Sequence, residues 1–119
     1  MNFWVVKMKS DGKLDYLEMQ AGGALESVKA FYSAAFGWRF TDYGPSYAAF
    51  EEGLDGGFDA SAARETRPLP VIYAQDLERS LEAVRAAGGE IAKPIFSFPG
   101  GRRFHFVDPA GNELAVWSE

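Results

Sequence analysis

Histidine occurs once in the 119 residues, at position 105, and cysteine not at all. His105 lies between Phe104 and Phe106, and imidazole is the one side chain whose ordinary pKa is near neutrality. It is therefore the natural acid/base candidate, the alternative being a hydrogen-bonded structural histidine. Without cysteine there is no disulfide, thiolate metal site or thiol nucleophile. One His leaves carboxylates to supply most of any coordination shell, which disfavours tight zinc or nickel. A magnesium site of carboxylates and water is chemically allowed, but no three carboxylates fall at motif spacing. Glu18 and Glu113 can recognise a cationic or hydroxylated ligand, serve as a base if burial raises a pKa, or stay solvated.

The elements that must carry these groups repeat. The segment LESVKA at residues 25–30 returns as LEAVRA at 81–86, and each copy follows one strand-like segment and precedes three more. In the first half, residues 14–19 alternate as a half-buried strand and Gly22-Gly23 breaks it. Leu25, Val28, Phe31, Tyr32 and Ala35 then form a helical apolar stripe that Gly37 stops. Residues 38–40 and 47–50 read as strands, and 56–59 as a shorter fourth.

In the second half, residues 70–74 form a strand and Asp76 caps a helix with Leu77, Leu81 and Val84 buried and Gly88-Gly89 as its stop. Residues 91–95, 103–107 and 113–117 are strands. Asp108-Pro109-Ala110-Gly111-Asn112 makes a tight hairpin, because Pro presets a turn dihedral and Asp and Asn bond their own backbone. Gly100-Gly101 marks a turn or a close backbone approach. The order βαβββ therefore occurs twice, over residues 14–62 and 69–119, in a single domain spanning 1–119. Residues 3–9 read as an extra strand within a 1–13 extension, turned by Ser10-Asp11-Gly12, with Lys7 and Lys9 as edge guards.

Bulk properties bound the function. With 47% hydrophobic and 24% charged residues the chain has an ordinary globular composition. A net charge of -5 argues against tracking nucleic-acid phosphates, and Arg102-Arg103 is too short a basic cluster to change that. No glycine pair has phosphate-loop spacing. The Phe3-Trp4-Val5-Val6 run lacks a basic leader and a cleavage site, and no stretch approaches the roughly 18 apolar residues of a membrane span. A cytoplasmic protein is expected.

Three segments in order, AFYSAAFGW at 30–38, AAGG at 86–89 and FVDPAGN at 106–112, make the chain resemble the vicinal oxygen chelate superfamily of glyoxalases, bleomycin-resistance proteins and dioxygenases. The resemblance covers residues 14–117. It implies an α+β fold in which paired βαβββ modules form a curved mixed sheet, with helices on the convex face, a ligand cavity on the concave one, and often a homodimer. In the family's enzymes a divalent metal binds two neighbouring substrate oxygens as a Lewis acid. Here the usual His positions fall on Tyr16 and Leu69 and the usual Glu on Ala115. The fourth falls within 56–59, where Asp59 offers an oxygen. No cofactor is expected, a divalent metal being the alternative.

If Tyr16 and Ala115 face the cavity, period-two alternation puts Glu18, Glu113 and Trp117 there too, with Tyr73 beside Leu69 and Val71. Leu17, Met19, Ile72, Leu114 and Val116 then pack under the helices. Tyr16 and Tyr73 are expected to hydrogen-bond a ligand or pack the wall. Trp38, Phe40, Tyr47, Phe50 and Trp117 line a pocket or form the core. Arg103, on the face of His105, pairs with an acidic ligand group or snorkels to water. The ligand-binding set is thus Tyr16, Glu18, Trp38, Tyr47, Tyr73, Arg103, His105, Glu113 and Trp117, with Glu113 and His105 as catalytic candidates.

The function expected is metal-free binding of a small molecule, for drug or metabolite sequestration. The alternatives are a glyoxalase-like lyase or isomerase or a dioxygenase-type metalloenzyme with a non-standard metal shell, a metal-free acid/base catalyst with Glu113 or His105, or an interaction module recruiting a partner through its N-terminal strand.

Overall fold

The computed structural model describes residues 9–63 and 66–119. The chain divides into two compact units, one of residues Tyr16–Val71 and one of Ile72–Glu119 with the described residues up to Asp15. The elements are β1 (Leu14–Gln20), α1 (Leu25–Phe36), β2 (Thr41–Asp42), β3 (Tyr47–Glu52) and β4 (Leu54–Asp59), then β5 (Leu69–Tyr73), α2 (Leu77–Ala86), β6 (Glu90–Phe98), β7 (Gly101–Val107) and β8 (Glu113–Ser118). In the first set the strand order is β2-β3-β4-β1, and in the second β6-β7-β8-β5, so the βαβββ order is made twice with the same neighbours. β1 runs parallel to β4 while β2, β3 and β4 pair antiparallel, giving a mixed sheet. This is the α+β fold class that the sequence implies.

Each helix covers one face of its strands. Leu25, Val28 and Tyr32 of α1 pack with Ala48, Phe50 and Phe58 of the strands, and Met19, Trp38 and Phe40 join them. Leu77, Leu81 and Val84 of α2 pack with Ala74, Phe104 and Val116, and Ile72 and Phe106 join them. Asp76 caps α2 as its position demands, its carboxylate accepting the Arg79 N–H at 3.1 Å. α1 ends at Gly37, whose φ of 73° lets the backbone turn back and donate to the Ser33 carbonyl.

Three expectations are corrected. The α1 stripe is narrower than its spacing suggests, because Phe31 is 58% exposed and Ala35 is exposed as well. A 12-residue helix buries one side, and Phe31, a single residue from Tyr32, lies about 100° around it. Residues 38–40 are not a strand: Trp38 and Phe40 both turn into the core, and the ladder starts only at Thr41, opposite Ala49. β6 continues through Pro94 to Phe98, with register breaks between Ile91 and Lys93 and between Lys93 and Phe96. A bulged edge tolerates the proline that a regular ladder would exclude.

The turns follow their chemistry. The Asp108 carboxylate accepts the N–H groups of Ala110 and Asn112 at 2.8 and 2.9 Å, closing the β7–β8 hairpin. A Cβ on Gly101 would run into the Ser118 carbonyl, so the backbone there does make a close approach. The Ser10–Gly12 turn forms through a Lys13 N–H to Ser10 carbonyl bond, while the strand expected over 3–9 falls mostly outside the described residues. Among the described residues no helix is long and apolar enough to cross a membrane.

Burial separates two substitutions on these helices. Leu77→Ala removes a 1% exposed side chain and is expected to cost about 3 kcal/mol, whereas Phe31→Ala should stay within about 0.5 kcal/mol. Urea unfolding of both variants reads the difference, and equal midpoints would contradict the packing.

Candidate functional site

On the face of β1, β3 and β4 turned away from α1, the ladder sets Glu18 beside Gly57 and Gly57 beside Ala49, and it sets Gln20 beside Asp59 and Asp59 beside Tyr47. Tyr47 lies one diagonal step from Glu18, and its ring bridges that step by crossing Gly57. A Cβ at Gly57 would overlap the Tyr47 phenol, so only glycine leaves room for the ring. The Tyr47 hydroxyl donates to Glu18 Oε1 at 3.2 Å and lies 2.7 Å from the Tyr16 hydroxyl. With the Tyr47 proton committed to Glu18, the Tyr16 hydroxyl donates to Tyr47 and keeps its own oxygen lone pairs.

Burial raises the pKa of Tyr16, an effect the Tyr47 hydrogen bond opposes and the Glu18 charge reinforces. Tyr47 is driven far up by burial first, then by its bond to Tyr16 and the charge of Glu18. Both phenols are therefore neutral at physiological pH. The arrangement presents hydroxyl groups in fixed orientation, without phenolate.

The second unit has its own polar face, opposite α2. Paired residues in an antiparallel ladder share a side. Arg103 stands opposite Trp117 and Phe96, and His105 opposite Ala115 and Lys93. Glu113, two residues before Ala115, shares that side. His105 is 3% exposed, and its Nδ1 lies 2.8 Å from Glu113 Oε2. Burial holds its pKa below the usual value; the Glu113 hydrogen bond opposes this, while Arg103 and Lys93 add to it. An ionised carboxylate only accepts, so the neutral ring carries its proton on Nδ1 and leaves Nε2 as an acceptor. That Nε2 is buried and has no hydrogen-bond partner among the described residues.

Aromatic groups surround this pair. The Phe96 ring is 5.8 Å from the imidazole, and the Arg103 guanidinium stacks 5.4 Å from Phe96 and 5.6 Å from Phe98. Trp117 meets Tyr73 edge-on at 5.3 Å and donates its indole N–H to Asp15 at 3.1 Å. The Tyr73 hydroxyl donates to Glu119 at 2.8 Å, and that carboxylate is the main reason its pKa is raised.

The structure thus gathers Tyr16, Glu18 and Tyr47 into one group, and His105, Glu113, Arg103, Trp117 and Tyr73 onto another face. It does not bring Trp38 to either. That ring stacks on Tyr32 at 4.7 Å and on Phe50 at 4.8 Å, in the core under α1. Sequence reasoning missed Gly57, Phe96, Phe98 and Asp15. A Gly-Gly pair inside a strand was the available signal for Gly57, and the alternation of Phe96 and Phe98 beyond residue 95 was the signal for those two. Nothing local marks Asp15 as the partner of an indole 102 residues away.

Residues 13–116 match the family model of the Glyoxalase/Bleomycin resistance protein/Dioxygenase superfamily. No curated protein matches the chain significantly. Among solved structures it resembles the NAD-dependent benzaldehyde dehydrogenase from Legionella pneumophila, with 16% identity and a TM-score of 0.69 over 87% of this chain and 96% of that one. It also resembles methylmalonyl-CoA epimerase from Mycobacterium tuberculosis, with 14% identity and a TM-score of 0.66 over 93% and 91% of the two chains. For the Mn(II)-bound glyoxalase from Novosphingobium aromaticivorans the identity is 21% and the TM-score 0.63, over 93% of this chain and only 40% of that one. At these identities the likeness shows the fold.

The residues present do not fit a family-type metal. No three His, Cys, Asp or Glu side chains converge among the described residues. Tyr16, at a position where the resemblance puts a ligand His, is held as a neutral phenol, and a metal would need its anion.

A lowered His105 pKa has a definite sign in stability. The unfolded chain takes up this proton near pH 6.5 and the folded chain only below that. The stability contributed is full above about pH 6.5 and is lost as pH falls toward the folded pKa. NMR titration should show His105 titrating below 6.5, and lower still in Glu113→Gln, which removes the opposing carboxylate.

Proposed function

Because this chain belongs to the glyoxalase/bleomycin resistance protein/dioxygenase superfamily, we propose that it holds a small organic molecule on the polar face of its strands by hydrogen bonds and aromatic contact, and that it acts by sequestering a drug-like or metabolite ligand. The observation that carries this reading is the Tyr16–Tyr47–Glu18 chain. Two neutral phenols in fixed orientation, their own protons committed and the Tyr16 oxygen left with lone pairs, are a recognition device for ligand groups that donate, a hydroxyl or an amide N–H. They are poor Lewis bases for a divalent cation, which is why the metal-bearing lyase, isomerase or dioxygenase alternative is the weaker one for this donor set. A homodimer and a cytoplasmic location belong to the same proposal on the strength of the family resemblance, and light scattering of the purified protein tests the first.

Thermal-shift screening of the full chain against antibiotics and aromatic metabolites tests the reading, since a ligand of the folded state raises Tm by mass action. At least one compound should raise Tm with concentration. Tyr16→Phe should then weaken its binding about tenfold, the worth of one hydrogen bond. Melting curves unmoved by every compound, or a bound compound released chemically altered, would count against sequestration.

A further inference from the structure

On the polar face of the second unit, His105 Nε2 is a buried acceptor with no hydrogen-bond partner among the described residues. The imidazole is 3% exposed, its other nitrogen is fixed by Glu113 at 2.8 Å, and Nε2 makes no hydrogen bond among the described residues. Leaving a buried acceptor unpaired costs about 1–3 kcal/mol, so such an atom in a folded protein calls for a reason. Its surroundings specify what would satisfy it. Arg103 and Lys93 bring positive charge to the ring from β7 and β6, and Glu113 on β8 is the carboxylate that faces it. An incoming cation is disfavoured there, whereas a ligand that gives its proton to Nε2 and remains as an oxyanion adds no net charge and places its negative oxygen beside the new imidazolium and these cations. Phe96 and Phe98, carrying the Arg103 guanidinium between them, add apolar wall for a flat ring.

We propose that His105 and Glu113 form a proton-accepting pair that binds a ligand through a weakly acidic hydroxyl, of the phenol or enol class. Nε2 accepts the hydrogen bond from the ligand O–H and takes its proton. The O–H bond breaks, an Nε2–H bond forms, and the electron pair stays on the ligand oxygen as an oxyanion paired with the new imidazolium. Glu113 is the positioning residue: it holds the Nδ1–H tautomer, so that Nε2 is the basic nitrogen, and it stabilises the imidazolium charge. The Phe96 ring lies 5.8 Å from the imidazole, at the end of the stretch of β6 whose ladder with β7 breaks register twice. Phe96 is partly exposed on this edge strand, so its ring has solvent to turn into. The inference is independent of the Tyr16 group and of sequestration as such.

4-Nitrophenol, whose anion has its own visible absorption band, is the probe. Added to the full chain at a pH below the probe's own pKa, it should bind with growth of the anion band and with an imidazolium signal for His105 in NMR. Glu113→Gln, a substitution at a half-exposed side chain, should keep the amide spectrum of the fold yet reduce the anion signal at least about tenfold. 4-Nitroanisole, which has no proton to give, should bind markedly more weakly. Three results would each overturn the proposal: no binding of 4-nitrophenol, binding of the neutral phenol with no imidazolium signal, or equal binding of the anisole. Loss of the response in the thermal-shift panel with the nitrophenolate signal intact would remove sequestration and leave this pair standing.

Discussion

A polar atom on a strand face that gives up water must find a partner within the protein, and the cost of failing is comparable to the whole net worth of a hydrogen bond. That constraint shapes both polar faces. Tyr47 crosses Gly57 to reach Glu18 and Tyr16, Trp117 reaches Asp15, and His105 reaches Glu113. Each of these bonds ties residues on different strands, so the hydrogen-bond requirement also stiffens the faces on which a ligand is proposed to sit. The same networks set the chemistry. Burial with a carboxylate alongside keeps the two phenols protonated, and burial beside two cations keeps the imidazole neutral despite Glu113. With these donors committed within the protein, what the faces offer is oriented acceptor atoms, the Tyr16 oxygen and His105 Nε2, which can discriminate small molecules by hydrogen bonding.

The two βαβββ copies share their strand order and their helix-side packing but not their polar faces. The LESVKA and LEAVRA segments open α1 or run through the second half of α2, and in each case an apolar stripe is pinned on strand residues such as Phe58 or Val116. On the opposite side one copy carries phenols and a carboxylate, and the other an imidazole and a carboxylate. Packing limits what may change on the helix side, because a core tolerates few changes of volume. The polar side is free to diverge, as a site grafted onto a shared fold would be.

Much of this was legible from residue order alone. Period-two alternation correctly put Met19, Ile72 and Val116 under the helices and paired Tyr16 with Glu18 and Arg103 with His105 on the other side. Gly37, Asp76 and the Asp108 hairpin carry their local chemistry on their face. What escaped depends on pairing between segments far apart in sequence. Tyr47 meets Glu18 only because β4 lies between β3 and β1 with Gly57 in register. Trp38 alternates with Phe40 as strand residues do, yet the pull of Tyr32 and Phe50 draws the tryptophan into the core. Phe31 matches the helical stripe by spacing and still faces solvent, since spacing gives a side of the helix but not the width of the surface it meets.

Hydroxyl and imidazole groups, in place of a coordinated cation, are what we propose for recognition on these faces. Elemental analysis of the purified, dialysed full-length protein, followed by calorimetric titration with zinc, nickel and manganese, measures this directly. The account predicts substoichiometric metal and no heat of binding. One divalent ion per chain that survives dialysis would contradict it.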